Sequence, residues 1–141
     1  MKFSLLLSIF IFLIATSYSQ KKVSVQILTT GTNTSLRGMS VPSETVVWVS
    51  GSNGTIGKSI DGGKTWRWLI VPGYEKRDFR DVEAFDSSTA IIMAVDNPAY
   101  ILKTTDGGAT WRKVFEKNIN GMFLDGWILK MIKKEFVLVI P

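Results

Sequence analysis

Apolar residues in this chain come in short runs separated by glycine-rich turns, and the runs recur. Val46-Val47-Trp48-Val49 lies 45 residues before Ile91-Ile92-Met93-Ala94, and Ile56-Gly57-Lys58-Ser59 lies the same distance before Ile101-Leu102-Lys103-Thr104. Short runs rich in β-branched and aromatic residues and bounded by Gly, Asp and Ser predict strands. Each second run ends in the same octapeptide, Ser59-Ile60-Asp61-Gly62-Gly63-Lys64-Thr65-Trp66 and Thr104-Thr105-Asp106-Gly107-Gly108-Ala109-Thr110-Trp111. Both units therefore read strand, turn, strand, Asp-Gly-Gly turn, strand. Upstream, Leu36-Arg37-Gly38-Met39-Ser40-Val41 corresponds to Phe79-Arg80-Asp81-Val82-Glu83-Ala84 at an offset of 43, and Phe123-Leu124-Asp125 opens a third copy 44 residues after Phe79.

A period of this size marks a repeat architecture, and strands without helical periodicity make it all-β: a partial β-propeller of two to three four-stranded antiparallel blades. The octapeptide is built to reverse the chain. Its Asp can hydrogen-bond the backbone two residues on, and the glycines reach positive φ without a Cβ clash. The Thr suits the returning strand, and the Trp offers a large apolar face to a neighbouring hairpin. Trp66 and Trp111 are expected in equivalent, substantially buried positions, with Trp48 and Met93 inside the sheets.

The pattern Ser/Thr-x-Asp-x-Gly-x-Thr-Trp, carried by Ser59, Asp61, Gly63, Thr65 and Trp66 and again by Thr104, Asp106, Gly108, Thr110 and Trp111, is identified as the Asp-box, or BNR repeat, of sialidase-type propellers. Within that superfamily the chain resembles the Ycf48-like proteins, the photosystem II assembly factor group and its bacterial relatives. The residues that carry the likeness are 35–40, 47–56 leading into the first box, and 79–85. The resemblance implies a non-catalytic scaffold that binds a protein partner or cell-surface component, with Arg37 and Arg80, one per repeat at the same height, as part of a partner-binding patch. The residues alone leave a second reading: each Arg pairs with an acidic side chain or backbone carbonyls of the adjacent blade.

Lys2 precedes the apolar run from Leu5 to Ala15, and the small residues Ser17 and Ser19 flank Tyr18. This is the form of a secretory signal, residues 1–19, cleaved before Gln20, and it implies a periplasmic or extracellular protein. The apolar run is short of the ~20 residues that span a bilayer, so no stable membrane anchor is expected. There is no cysteine in the chain, which removes both disulfides and a lipidated thiol.

Residues 20–125 carry the blades, and closure of a propeller takes at least about four blades. From residue 126 the repeat stops: 126–141 carries no Asp-box, and its composition changes. The genetic code permits these residues a reading displaced by one base in which an acidic turn and alternating apolar residues continue the blade. The chain is accordingly expected to be a truncated or frameshifted fragment of a longer propeller, open to self-association. The alternative is a short protein whose last strand, from Phe136 to Ile140, pairs with the sheet.

Composition excludes several function classes. Of the net charge of +5, Lys2 contributes one and the tail two, so the blades carry no concentrated basic stripe for nucleic acid. With no His, no Cys and no dinucleotide fingerprint, neither a redox cofactor nor a metal is expected. Glu75-Lys76-Arg77-Asp78 alternates in sign and reads as a solvated loop. The runner-up function is the scaffold remnant of a sialidase-like glycoside hydrolase. Such an enzyme needs a Tyr with a Glu partner and an arginine cluster, and neither Tyr74 nor Tyr100 has that setting in the sequence.

Overall fold

The computed structural model describes residues 22–29, 31–118, 128–132 and 135–139. The expected secretory signal and the third copy opening at Phe123 lie outside the described residues. Eight strands form two four-stranded antiparallel sheets. The first contains β1 (Leu36–Ser40), β2 (Val47–Gly51), β3 (Thr55–Ser59) and β4 (Arg67–Ile70), and the second β5 (Phe79–Ala84), β6 (Ala90–Ala94), β7 (Ala99–Thr104) and β8 (Arg112–Lys117). Strand order follows chain order in both, so each sheet is a meander and each repeat one propeller blade.

Pairing registers align the blades more finely than the sequence does. Trp48 pairs with Lys58 and Ile91 with Lys103, so Ile91 is the counterpart of Trp48 and Met93 that of Ser50. The offset is thus 43 through β1, β2, β5 and β6, and becomes 45 because the β6–β7 hairpin, around Asp96-Asn97-Pro98, is two residues longer than the β2–β3 hairpin. Matching Trp48 to Met93 was a slip of two residues. Since side chains alternate between faces with period two, the slip left every residue on its correct face, and Met93 is indeed buried.

The blades stack face to face. Trp48, Ile56, Val71, Phe79, Val82, Ala84, Ala90, Ile92, Ala94 and Leu102 form one buried cluster across the contact. Gly38 admits the close approach: a Cβ there would stand 2.8 Å from both the Asp81 Cα and the Val82 nitrogen, so the inner strands β1 and β5 touch backbone to backbone. Polar bonds stitch the rim. The Ala84 N–H donates to Ser40 Oγ at 3.0 Å, Trp48 Nε1 to the Asp86 carbonyl at 3.1 Å, and Lys58 Nζ to the carbonyls of Ser87 at 2.9 Å and Gly107 at 3.0 Å.

In the tail, β9 (Ile128–Ile132) and β10 (Glu135–Val139) pair with each other as a separate two-stranded antiparallel sheet. The alternative in which the last strand pairs with the blade sheet is corrected here: the described residues of that strand pair with β9 instead.

Candidate binding face at the arginine end of the blades

Each blade has two chemically different ends. At one end lie the Asp-boxes, between β3 and β4 and between β7 and β8. Asp61 binds its own turn with both oxygens: Oδ1 accepts from Ser59 Oγ at 2.8 Å and from the Thr65 N–H at 2.9 Å, and Oδ2 accepts from Thr65 Oγ1 at 2.6 Å. Ser59 Oγ accepts from the Gly63 N–H at 2.8 Å. The second box repeats the set: Asp106 Oδ1 accepts from Thr104 Oγ1 at 2.8 Å and the Thr110 N–H at 2.9 Å, Asp106 Oδ2 accepts from Thr110 Oγ1, and the Gly108 N–H donates to Thr104 Oγ1 at 3.0 Å. Hydrogen bonds from the Thr65 side chain, then the Thr65 backbone and Ser59, hold the Asp61 carboxyl at about 2; those from Thr110 and Thr104 do the same for Asp106, again to about 2. Both carboxylates are therefore committed to the turns, and the φ values of +86° at Gly63 and +87° at Gly108 fit only glycine comfortably.

The two tryptophans that follow the boxes differ. Both are half-buried rather than substantially buried, and their surroundings are not equivalent. Trp111 leans on Trp48 of the preceding blade and leaves its indole N–H, though shielded, without a hydrogen-bond partner. Trp66 stacks on Trp68 and donates to the Gly63 carbonyl at 2.8 Å. The difference arises from the neighbour each one meets.

At the opposite end stand the hairpins β2–β3 and β6–β7, the segment joining the blades, and the two repeated arginines. Leu36 pairs with Gly51 and Gly38 with Ser50, so Arg37 is the extra residue of a β-bulge; Phe79 pairs with Ala94 and Asp81 with Met93, which makes Arg80 the extra residue of the same bulge one blade on. A bulge lifts a residue out of the ladder and re-aims its side chain. Arg37 reaches across the blade boundary to Asp78 at 3.2 Å, with its Nε 3.3 Å from Ser52 Oγ. Arg80 is half-buried and is also engaged by neighbouring groups.

A third arginine joins them. Arg77 donates to the Pro98 carbonyl and places its guanidinium 4.5 Å from the centre of the Tyr100 ring, while the Gly54 N–H donates to the Arg77 carbonyl at 2.7 Å. Tyr100 is met edge-on by Tyr74 at 5.7 Å and by the Lys113 amine at 5.0 Å. Lys113 is also paired with Glu116, which raises its pKa. Beside this cluster, burial pushes the Asp81 carboxyl up, and Glu83 is raised by burial and then by Asp81. Among the described residues no group of three or more acidic side chains is placed to hold a metal ion.

Residues 17–122 match the family described as Photosynthesis system II assembly factor YCF48. The chain belongs to that family. Among solved structures it resembles YCF48 bound to D1 peptide, at 29% identity and a TM-score of 0.50, over 60% of this chain and 28% of that one. It also resembles YCF48 from Cyanidioschyzon merolae at 22% identity and a TM-score of 0.48, over 62% of this chain and 26% of that one, a likeness of fold alone. The chain thus spans little more than a quarter of the length of these relatives. No curated protein matches it.

For a Ycf48-family chain, the residues singled out in the sequence divide cleanly between the two ends. Ser59, Asp61, Gly63, Thr65, Thr104, Asp106, Gly108 and Thr110 build turns; Arg37 and Arg80 share the other end. Sequence reasoning missed Arg77 and Tyr100. The loop 75–78 is solvated only at Glu75 and Lys76; Arg77 and Asp78 are half-buried, with Arg77 Nε shielded and lacking a hydrogen-bond partner. The available signal was position: Arg77-Asp78 immediately precedes Phe79, as Ser35 precedes Leu36 in the first unit.

Proposed function

We propose that these blades form a protein-binding face of an exported assembly scaffold, part of a larger Ycf48-like propeller, and that the face is the arginine end. The observation that carries this reading is the repeated bulge, which puts Arg37 and Arg80 at the same height in successive blades, with Arg77 at the same end beside Tyr100. Strand ladders gain nothing from a bulged arginine, whereas a row of guanidinium groups suits the carboxylates and carbonyls of an extended peptide. Arg37 is held by an exposed pair worth roughly 0.2–1 kcal/mol, so a peptide carboxylate can displace Asp78 at little cost. Arg77 and Tyr100 add a cation and an aromatic face suited to a peptide side chain. A solved relative of the family carries a D1 peptide, and this supports an extended segment of a partner protein as the ligand here. Export is supported by Lys2, the apolar run from Leu5 to Ala15 and the small residues at 17 and 19.

The test is a fluorescence anisotropy titration of a labelled D1 peptide with the whole chain. Binding should weaken by about tenfold or more in the Arg37→Ala/Arg80→Ala double variant, corresponding to the ~1.4 kcal/mol or more expected of lost charged contacts. Lys64→Ala, at the box end, should leave it unchanged. Equal affinities for the wild type and the double variant would overturn the assignment of the face.

A further inference from the structure

Beside each Asp-box two cations stand directly opposite each other. Lys58 pairs with Arg67 across β3 and β4, and Lys103 pairs with Arg112 across β7 and β8, at the same positions of successive blades. Opposed residues of an antiparallel pair share a face, with Cβ atoms ~4.5–5.5 Å apart, and like charges so placed destabilise the ladder. The fold nevertheless carries the arrangement twice. Among the described residues no carboxylate pairs with Arg67 or Arg112, and both arginines are exposed. The acids of the adjoining boxes do not answer them, because Asp61 and Asp106 spend both oxygens on their own turns.

In the first blade the pair lines a cleft of about 340 Å³, together with Ile60, Thr65 and Trp66. Lys58 is held in place there. Two of the three donors of its ammonium go to the carbonyls of Ser87 at 2.9 Å and Gly107 at 3.0 Å, which leaves one over. The guanidinium of Arg67 adds the planar fork that matches a carboxylate with two parallel hydrogen bonds. The other walls are apolar: Ile60 is 63% exposed, and Trp66 is half-buried. A bare inorganic anion gains nothing from such walls, whereas the methylenes of a glutamate side chain do.

We infer that this cleft is a second binding site, at the end of the blades opposite Arg37 and Arg80, and that its ligand is a glutamate side chain of an acidic peptide segment. The carboxylate sits between Arg67 and Lys58, and the methylenes lie against Ile60 and Trp66. Arg112, one blade on, gives a further acidic residue of the segment an equivalent cation. The site is independent of the arginine end and stands whether or not that end binds a peptide.

Acetylated hexaglutamate is the probe, with hexaglutamine as its uncharged counterpart. The chain has no cysteine, so a single thiol at the cleft reports on that place alone. In the full chain carrying Ile60→Cys, millimolar hexaglutamate at low ionic strength should slow modification by N-ethylmaleimide about tenfold or more, and hexaglutamine should leave it unchanged. Adding Arg67→Gln should abolish the protection without lowering the melting temperature, since the change also removes a like-charge pair. Adding Arg37→Ala and Arg80→Ala instead should leave the protection intact, which separates this site from the arginine end. Unslowed modification, equal protection by hexaglutamine, protection that survives Arg67→Gln, loss of protection in the Arg37→Ala/Arg80→Ala chain, or displacement of the peptide by an equimolar amount of inorganic phosphate would each overturn the inference.

Discussion

Trp111 stands edge-on against Trp48, their ring centroids 6.4 Å apart and their planes at 89°, so the tryptophan after one Asp-box is anchored by the blade before it. Trp66 has no such anchor and lies on Trp68 instead, 5.5 Å away and at 16°. Trp48 is fully buried at this junction, and Trp48→Ala should cost about 3–5 kcal/mol in denaturant unfolding. Trp66→Ala should cost well under half of that, about 1 kcal/mol, because a half-exposed stacked pair loses less on truncation. Equal costs would contradict this account of the junction.

Gly63 and Gly108 sit in the left-handed region, where a β-branched side chain is strained by about 1–3 kcal/mol. Gly63→Val should lower the unfolding midpoint clearly more than Lys64→Val at the exposed neighbouring position. Thermal melts of the two variants side by side decide it, and matching melting temperatures would count against the turn.

Asp61 and Asp106 titrate at about 2 in the folded chain, below the ~3.9 of an unfolded aspartate. Their folded-state pKa is depressed, so the stability they contribute is present above about pH 4 and is lost as pH falls through about pH 2. The wild type should therefore lose stability steadily between those values. The Asp61→Asn/Asp106→Asn double variant should be weaker at neutral pH and show a flatter acid limb. Parallel acid limbs would mean that other groups govern the transition.

Lys58 joins the blades through two carbonyls, and burial, then Arg67, lowers its pKa while Asp106 raises it. Lys58→Ala should loosen the second box by about 1 kcal/mol, a discounted value for a charged hydrogen bond near the surface. Amide exchange at Gly107 should speed up, with exchange in the first box unaffected.

What was legible in the sequence was local. The Asp61–Thr65 and Asp106–Thr110 bonds close within a few residues, so their chemistry can be read from the octapeptide itself. The register of β2 against β6 was misread by two residues because a shift of two preserves the side-chain faces, and only the pairing of Trp48 with Lys58 and Ile91 with Lys103 exposes the longer hairpin at Asp96-Asn97-Pro98. The unequal settings of Trp66 and Trp111 depend on which blade lies alongside, which an identical motif cannot encode. Arg77 looked solvated because its partners Pro98 and Tyr100 belong to the next blade. Arg37 and Arg80 were found as a repeated position, but the bulge that aims them became visible only through the strand pairings.

The central claim, that the arginine end is the binding face, is tested most directly by amide hydrogen exchange of the whole chain with and without a saturating peptide ligand. The account predicts added protection at Arg37, at Ser52 to Gly54 and from Arg77 to Asp81, with no change at Gly62 to Trp66 or Gly107 to Trp111. Protection confined to the Asp-box end would contradict it.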